Sequence, residues 1–241
     1  MMADNFFELV KKRRNIRQFK PDPVPDEYIE KIIDAARWAM SGGNGQPWEF
    51  IVVKNGETKN KIVEFYFEHQ KQAYDIEKTR VKELRHHRYI EAPSSLPSFK
   101  DAPVFIILCG DPRTVQASVL ITHFLPNEGG PMAHLLKNMA NAAQILHLAA
   151  AALGLGAQWV SVNVTTEVRL KALLDVPEEL TIHTIIPIGY PAHEPAPPYR
   201  RELKEIIHFE KYDRSKYRSG DDIYNFLLTL RQRTRPAYDL K

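Results

Sequence analysis

The run Arg13-Arg14-Asn15-Ile16-Arg17 gathers three guanidiniums around one short amide side chain. That combination suits a phosphate, because the planar guanidinium fork matches phosphate oxygens in pairs and each charge-assisted bond contributes roughly 1.5–3 kcal/mol. The plainer reading is that basic residues in a last helical turn offset the helix dipole. Three further segments bear on the choice. Ser41-Gly42-Gly43-Asn44-Gly45-Gln46-Pro47-Trp48 has glycines that let backbone N–H groups come close to a ligand. Its Asn44 and Gln46 amides both donate and accept, as the edge of a heteroaromatic ring requires, although the same stretch also reads as a plain helix-ending loop. Gly154-Leu155-Gly156-Ala157-Gln158-Trp159-Val160-Ser161 closes a helix and opens a strand, the reverse of a dinucleotide fingerprint. Gly189-Tyr190-Pro191 with Arg200-Arg201 downstream offers a second cationic pair.

Other chemistries find less support. The single cysteine, Cys109, excludes an internal disulfide and a Cys-rich metal site, and its apolar neighbours read as a buried strand. Nine histidines invite a metal, but the adjacent His86 and His87 diverge by about 100° on a helix, and His134 and His147 lie too far apart to chelate. No metal is expected, and no Ser-His-Asp or Cys-His arrangement names a catalytic side chain. With 33 Lys and Arg against 30 Asp and Glu, the net charge of +3 favours an anionic ligand. It falls short of a nucleic-acid face, where aromatic residues would also interleave with the basic ones. No run reaches the roughly 20 apolar residues of a membrane helix, and no signal peptide is recognised, so a cytoplasmic protein is expected.

The elements that must position these residues alternate along 241 residues. Asp4 to Val10 reads as a short helix with Phe6, Phe7, Leu9 and Val10 on its apolar face, and a second helix runs from Pro25-Asp26 to about Met40. Trp48–Val53 and Val104–Cys109 read as strands, separated by a polar helix from Thr58 to about Ile90 and a loop at Pro93–Pro97. Asp111 to Pro131 reads as a loop or a short helix over a pocket. Ala133 to Leu153 is a long helix rich in Ala and Leu, followed by a strand at Gln158–Val162, a helix at Thr166–Leu174 and a strand at Thr181–Tyr190. A proline-rich connector leads to a short strand at Glu205–Phe209 and a helix near Asp222 to Arg231, whose Ile223, Phe226, Leu227 and Leu230 imply a covered face. Strands and helices interleaved without a linker argue for one α+β domain.

In this order and spacing the four segments resemble the nitroreductase family of FMN-dependent oxidoreductases, from about Phe6 to Tyr212, with Asn15 standing where the family usually has Ser. The resemblance implies a nitroreductase-like fold, a central mainly antiparallel sheet flanked by helices, in an intertwined homodimer. It implies that Arg13 and Asn15 hold the FMN phosphate with Arg200 and Arg201, that Arg14 lies along the ribityl chain, and that Arg17 reaches the pyrimidine edge. Ser41, Gly42, Asn44, Gln46 and Pro47 would line the flavin from the partner subunit. Trp159, Val160 and Ser161 would pass its N5 edge with a backbone N–H as donor. Segments 58–100 and 111–135 would cover the pocket and vary with substrate, and 212–241 would be an arm on the partner. The implied activity is NAD(P)H-driven, ping-pong reduction of nitroaromatic, quinone or other electron-poor small molecules. The alternatives are a dehalogenase, ene-reductase or flavin-fragmenting enzyme of the same fold, or a non-catalytic FMN binder.

Overall fold

The structure is a computed structural model that describes residues 2–85, 91–116 and 130–233. The elements are α1 (Met2–Lys12), α2 (Asp26–Ala36), β1 (Trp48–Val53), α3 (Gly56–Glu77), β2 (Val104–Gly110), α4 (Pro112–Gln116), α5 (Gly130–Ala152), β3 (Gly156–Ala157), β4 (Val160–Ser161), α6 (Val164–Leu174), β5 (Thr181–Gly189), α7 (Leu203–Ile206) and α8 (Gly220–Arg233). They group into two compact units, one of residues 1–69 and 96–195, the other of residues 70–95 and 196–241.

The first unit carries the sheet, in the order β1-β2-β5-β3 with β4 also on β5, every strand pair antiparallel. All seven residues of β2 are buried, as a strand covered on both faces demands. Val104, Ile106 and Leu108 face a core with Ile29 and Ile32 of α2 and Leu135, Met139 and Leu146 of α5. Phe105, Ile107 and Cys109 face the opposite core with Ile62 and Val63 of α3 and Leu170 of α6. The two-residue period of the strand thus sends alternate side chains to two helical layers. The α+β architecture expected from the sequence is the one observed. Cys109 is fully buried and its thiol is pushed up to about 12, chiefly by burial. Its alkylation by iodoacetamide at pH 8 is therefore expected only after denaturant unfolds the chain, and labelling of the native protein would contradict this packing.

Several element boundaries differ from expectation. The helix expected to reach Met40 ends at Ala36, where the Trp38 and Ala39 N–H groups bond back only three residues, to Ala35 and Ala36. The polar helix ends at Glu77 because Arg85 donates to the carbonyls of Lys78 and Arg80, closing that end with a side chain; its last expected residues, 86–90, lie outside the described ones. Of Asp111–Pro131, α4 is described and 117–129 lie outside. The strand expected over Gln158–Val162 is two short strands. Pro187 of β5, which has no N–H to donate, faces the break between them, and the Gln158 N–H reaches its carbonyl at 3.2 Å.

In the second unit, the strand expected at Glu205–Phe209 is instead the helical turn α7 and the extended residues after it. Arg201 donates to the Glu205 side chain at 3.3 Å and to its carbonyl at 3.1 Å, a one-turn spacing that favours helix, and Ile206 and Phe209 are exposed rather than paired. The face of α8 expected to be covered is half open: Ile223 and Leu227 are exposed, while Phe226 takes Tyr199 against one edge and Arg218 over its ring.

Candidate functional site

Two of the segments singled out in the sequence meet at the C-terminal end of α5. Gly154 (φ 75°) is the left-handed residue that ends the helix. Its N–H bonds Ala151 O at 3.1 Å and that of Leu155 bonds Ala150 O at 2.9 Å, satisfying the last carbonyls and turning the chain toward β3. The arginine run lies directly against that turn. Asn15 bridges Ala157 in parallel, the Ile16 N–H bonds Ala157 O at 3.1 Å, and the Trp159 N–H donates to Asn15 Oδ1 at 3.0 Å. Gly156 exists for this contact. A Cβ placed there would lie 2.7 Å from Ile16 Cβ and 2.9 Å from its Cγ2, so the residue that comes closest is Ile16.

The join leaves a concavity of about 280 Å³ whose lining includes Lys12, Arg13, Arg14, His147, Ala151 and Glu194. His147 is buried, its Nδ1 has no hydrogen-bond partner among the described residues, and burial, with the Arg13 guanidinium beside it, pushes its pKa down to about 4. It stays neutral at physiological pH and so adds no second positive charge beside Arg13. Arg14 donates to the carbonyls of Lys11 and Arg13, which folds its guanidinium back on the end of α1, in line with a basic last turn. Its Nε is buried with no partner among the described residues. Arg17 is exposed. Three cationic side chains and two buried, unengaged ring or guanidinium nitrogens fit the phosphate end of an anionic group.

The Ser41–Pro47 segment lies elsewhere on the first unit, against the other half of α5. Gly42 N–H donates to Asn138 Oδ1 at 3.2 Å, and Asn141 Nδ2 donates to Met40 O at 3.0 Å. Thirteen residues of helix separate Asn138 from Ala151, about 20 Å at 1.5 Å per residue. Gly43, Asn44 and Gln46 all have positive φ, at 59°, 56° and 46°, and the Gln46 N–H donates to Ser41 Oγ at 3.1 Å. Asn44 and Gln46 are exposed and Pro47 is buried. Trp159 and Ser161 are exposed beside the buried Val160, with the Trp159 N–H already committed to Asn15. Arg200 and Arg201 belong to the second unit, where Arg200 donates to Tyr199 O at 2.9 Å and Arg201 to Glu205.

Sequence reasoning missed His147, Asn138 and Asn141. Their signal was present as polar side chains in an otherwise Ala- and Leu-rich helix, two of them three residues apart and so on one face. The histidine was weighed only as a metal ligand. No group of three or more His, Cys, Asp or Glu side chains able to hold a metal is found among the described residues.

A sheet covered by helices on both faces, with a cationic recess at a helix-to-strand turn, is the frame of an FMN-dependent oxidoreductase. The chain belongs to the nitroreductase family, whose model (Nitroreductase family) matches residues 10–190. It is 32% identical over 209 residues to a Methanothermobacter thermautotrophicus protein provisionally named NADH dehydrogenase/NAD(P)H nitroreductase, covering 85% of this chain and 86% of that one. It is 28% identical to iodotyrosine deiodinase 1 of Rattus norvegicus, covering 86% of this chain and 70% of the relative. Among solved structures it is similar to an FMN-dependent nitroreductase from Clostridium difficile R20291, with a TM-score of 0.59 and 25% identity over 86% of this chain and 99% of that one. Among the described residues no helix is long and apolar enough to cross a membrane.

Proposed function

We propose that this protein is a homodimeric NAD(P)H-driven reductase of electron-poor small molecules, nitroaromatics or quinones, with each flavin held between two subunits. The observation that carries the reading is the Trp159–Asn15 hydrogen bond, which joins the arginine run and the helix-to-strand turn into one wall. FMN, when bound, would supply two-electron chemistry at its N5 position, so the polypeptide need provide no nucleophile. Arg13 would hold the phosphate. Asn15 would act mainly by fixing Trp159, since its Oδ1 is occupied. Arg14 would serve through charge rather than contact. Arg17 would set a fixed cation at the pyrimidine edge, where it favours negative charge.

At about 280 Å³ the recess lies just below ordinary ligand sites, which run roughly 300–1,000 Å³. It would take a phosphate and part of a polyol, leaving the ring to be completed by Ser41, Gly42, Asn44, Gln46 and Pro47 of a second copy. Apolar side chains that a lone chain leaves in water support that dimer: Trp38 is 74% exposed and Met40 80%, and Phe6, Phe7 and Val10 of α1 are exposed as well. The donor would bind and leave before the acceptor enters the same cleft, in two half-reactions. The similarity to a deiodinase makes reductive dehalogenation of an aromatic ring the second reading.

The purified protein is expected to be yellow, or to become so on addition of FMN, and to oxidise NADH or NADPH when a nitroaromatic or a quinone is present. A colourless protein indifferent to FMN overturns the reading. Turnover with a halogenated phenol but with none of the nitro or quinone acceptors favours the second.

A further inference from the structure

We propose that Asn138 and Asn141 of α5 are positioning residues that hold the Ser41–Gln46 loop in the shape that lines the flavin, an inference that rests on the proposed function. The two amides bracket Ser41. Asn141 Nδ2 donates to the carbonyl of the residue before it, Met40, at 3.0 Å, and Asn138 Oδ1 accepts from the N–H of the residue after it, Gly42, at 3.2 Å. One residue's backbone is thereby pinned from both sides to a single helix face. Asn138 is only 4% exposed, so its amide is a buried group whose partner matters rather than a solvated ornament.

The loop needs such anchors. Gly43, Asn44 and Gln46 lie at φ 59°, 56° and 46°, a left-handed conformation that a glutamine rarely holds unless its surroundings impose it. Ser41, once pinned, contributes the third clasp, accepting the Gln46 N–H on Oγ at 3.1 Å. The helix also admits the loop sterically. A Cβ on Gly42 would overlap the His134 ring, 2.5 Å from Cε1, so any larger residue there would have to displace that ring. Asn44 and Gln46 are left with exposed amides on a backbone fixed from beneath. That is how a short loop presents polar edges to a flat ligand without losing order on binding.

Aspartate substitutions separate anchoring from general damage, because the same change has opposite expected results at the two positions. Asn138→Asp keeps an acceptor oxygen for Gly42, whereas Asn141→Asp removes the Nδ2 donor to Met40. FMN titration of the flavin-free protein is expected to give a dissociation constant within about twofold of wild type for Asn138→Asp, and about tenfold weaker for Asn138→Ala and Asn141→Asp, as loss of one hydrogen bond implies. Amide hydrogen exchange without flavin is the second reading, with faster exchange at Gly42 and Gln46 expected in Asn138→Ala and Asn141→Asp. Asn141 is only partly buried, so its variant keeps the test alive if Asn138→Ala folds poorly. Unchanged exchange in Asn141→Asp overturns the anchoring. Faster exchange with unchanged FMN affinity keeps the anchor but overturns its link to the flavin. A wild-type protein without FMN affinity overturns the functional reading itself.

Discussion

Gly156→Ala is expected to destabilise the protein by about 3 kcal/mol and to cost it flavin affinity at the same time. The added methyl meets Ile16 at its Cβ (2.7 Å) and Cγ2 (2.9 Å), atoms fixed close to the backbone by β-branching, so no rotamer change clears the clash. Relief has to come from moving residues 15–17 away from β3, which breaks the Ile16–Ala157 and Asn15–Trp159 bonds and shifts Arg13 and Arg17 with them. Gly154→Ala, two residues earlier, is the control. No atom lies within 4 Å of its added methyl, so only the left-handed backbone at φ 75° is strained and about 1 kcal/mol is lost. Urea unfolding of the two variants measures the difference, and equal losses would show that Ile16 does not set the cost.

The second large effect is acid sensitivity through His147. Its folded pKa of about 4 lies below the 6.5 of an ordinary histidine. Between those values the unfolded chain takes up a proton that the folded chain refuses, so stability is complete above pH 6.5 and falls as pH drops toward 4. The difference corresponds to roughly 3 kcal/mol. In His147→Gln the stability lost between pH 7 and pH 4 is expected to shrink by about that amount, read from urea midpoints at several pH values. Because the Arg13 guanidinium adds to the depression, Arg13→Gln is expected to raise the folded pKa of His147 and so reduce the stability lost on acidification. An acid limb identical in wild type and His147→Gln would contradict the burial of a neutral imidazole.

The central strands were legible because each is an apolar run sandwiched between two helical layers, as in the seven buried residues of β2. The arginine run and the Gly154 turn were legible as chemistry but not as neighbours. They become one wall through contacts between distant residues, such as the parallel bridge between Asn15 and Ala157, 142 positions apart in the chain. Gly156 admits Ile16 at close range, and nothing local to the turn names that neighbour, since it comes from a distant segment. Glu205–Phe209 misled for a local reason. A short alternation of polar and apolar residues looks the same whether a strand edge awaits it or not, and here a one-turn Arg201–Glu205 contact favoured helix. The α5 asparagines were invisible as site residues because their partners are backbone atoms of a loop nearly a hundred residues earlier, 96 positions in the case of Asn138 and Gly42.

The strip from Asn15 to Phe19 has one more consequence. Beyond its own cations, it covers the far margin of the sheet: Asn15 and Ile16 occupy β3, and Phe19 pairs with Pro191 past the end of β5. An uncovered margin offers unpaired peptide groups to any passing chain and is a seed for clumping. Trimming the protein past Ile16 would thus be felt first in the test tube as turbidity, before any assay could register a missing arginine.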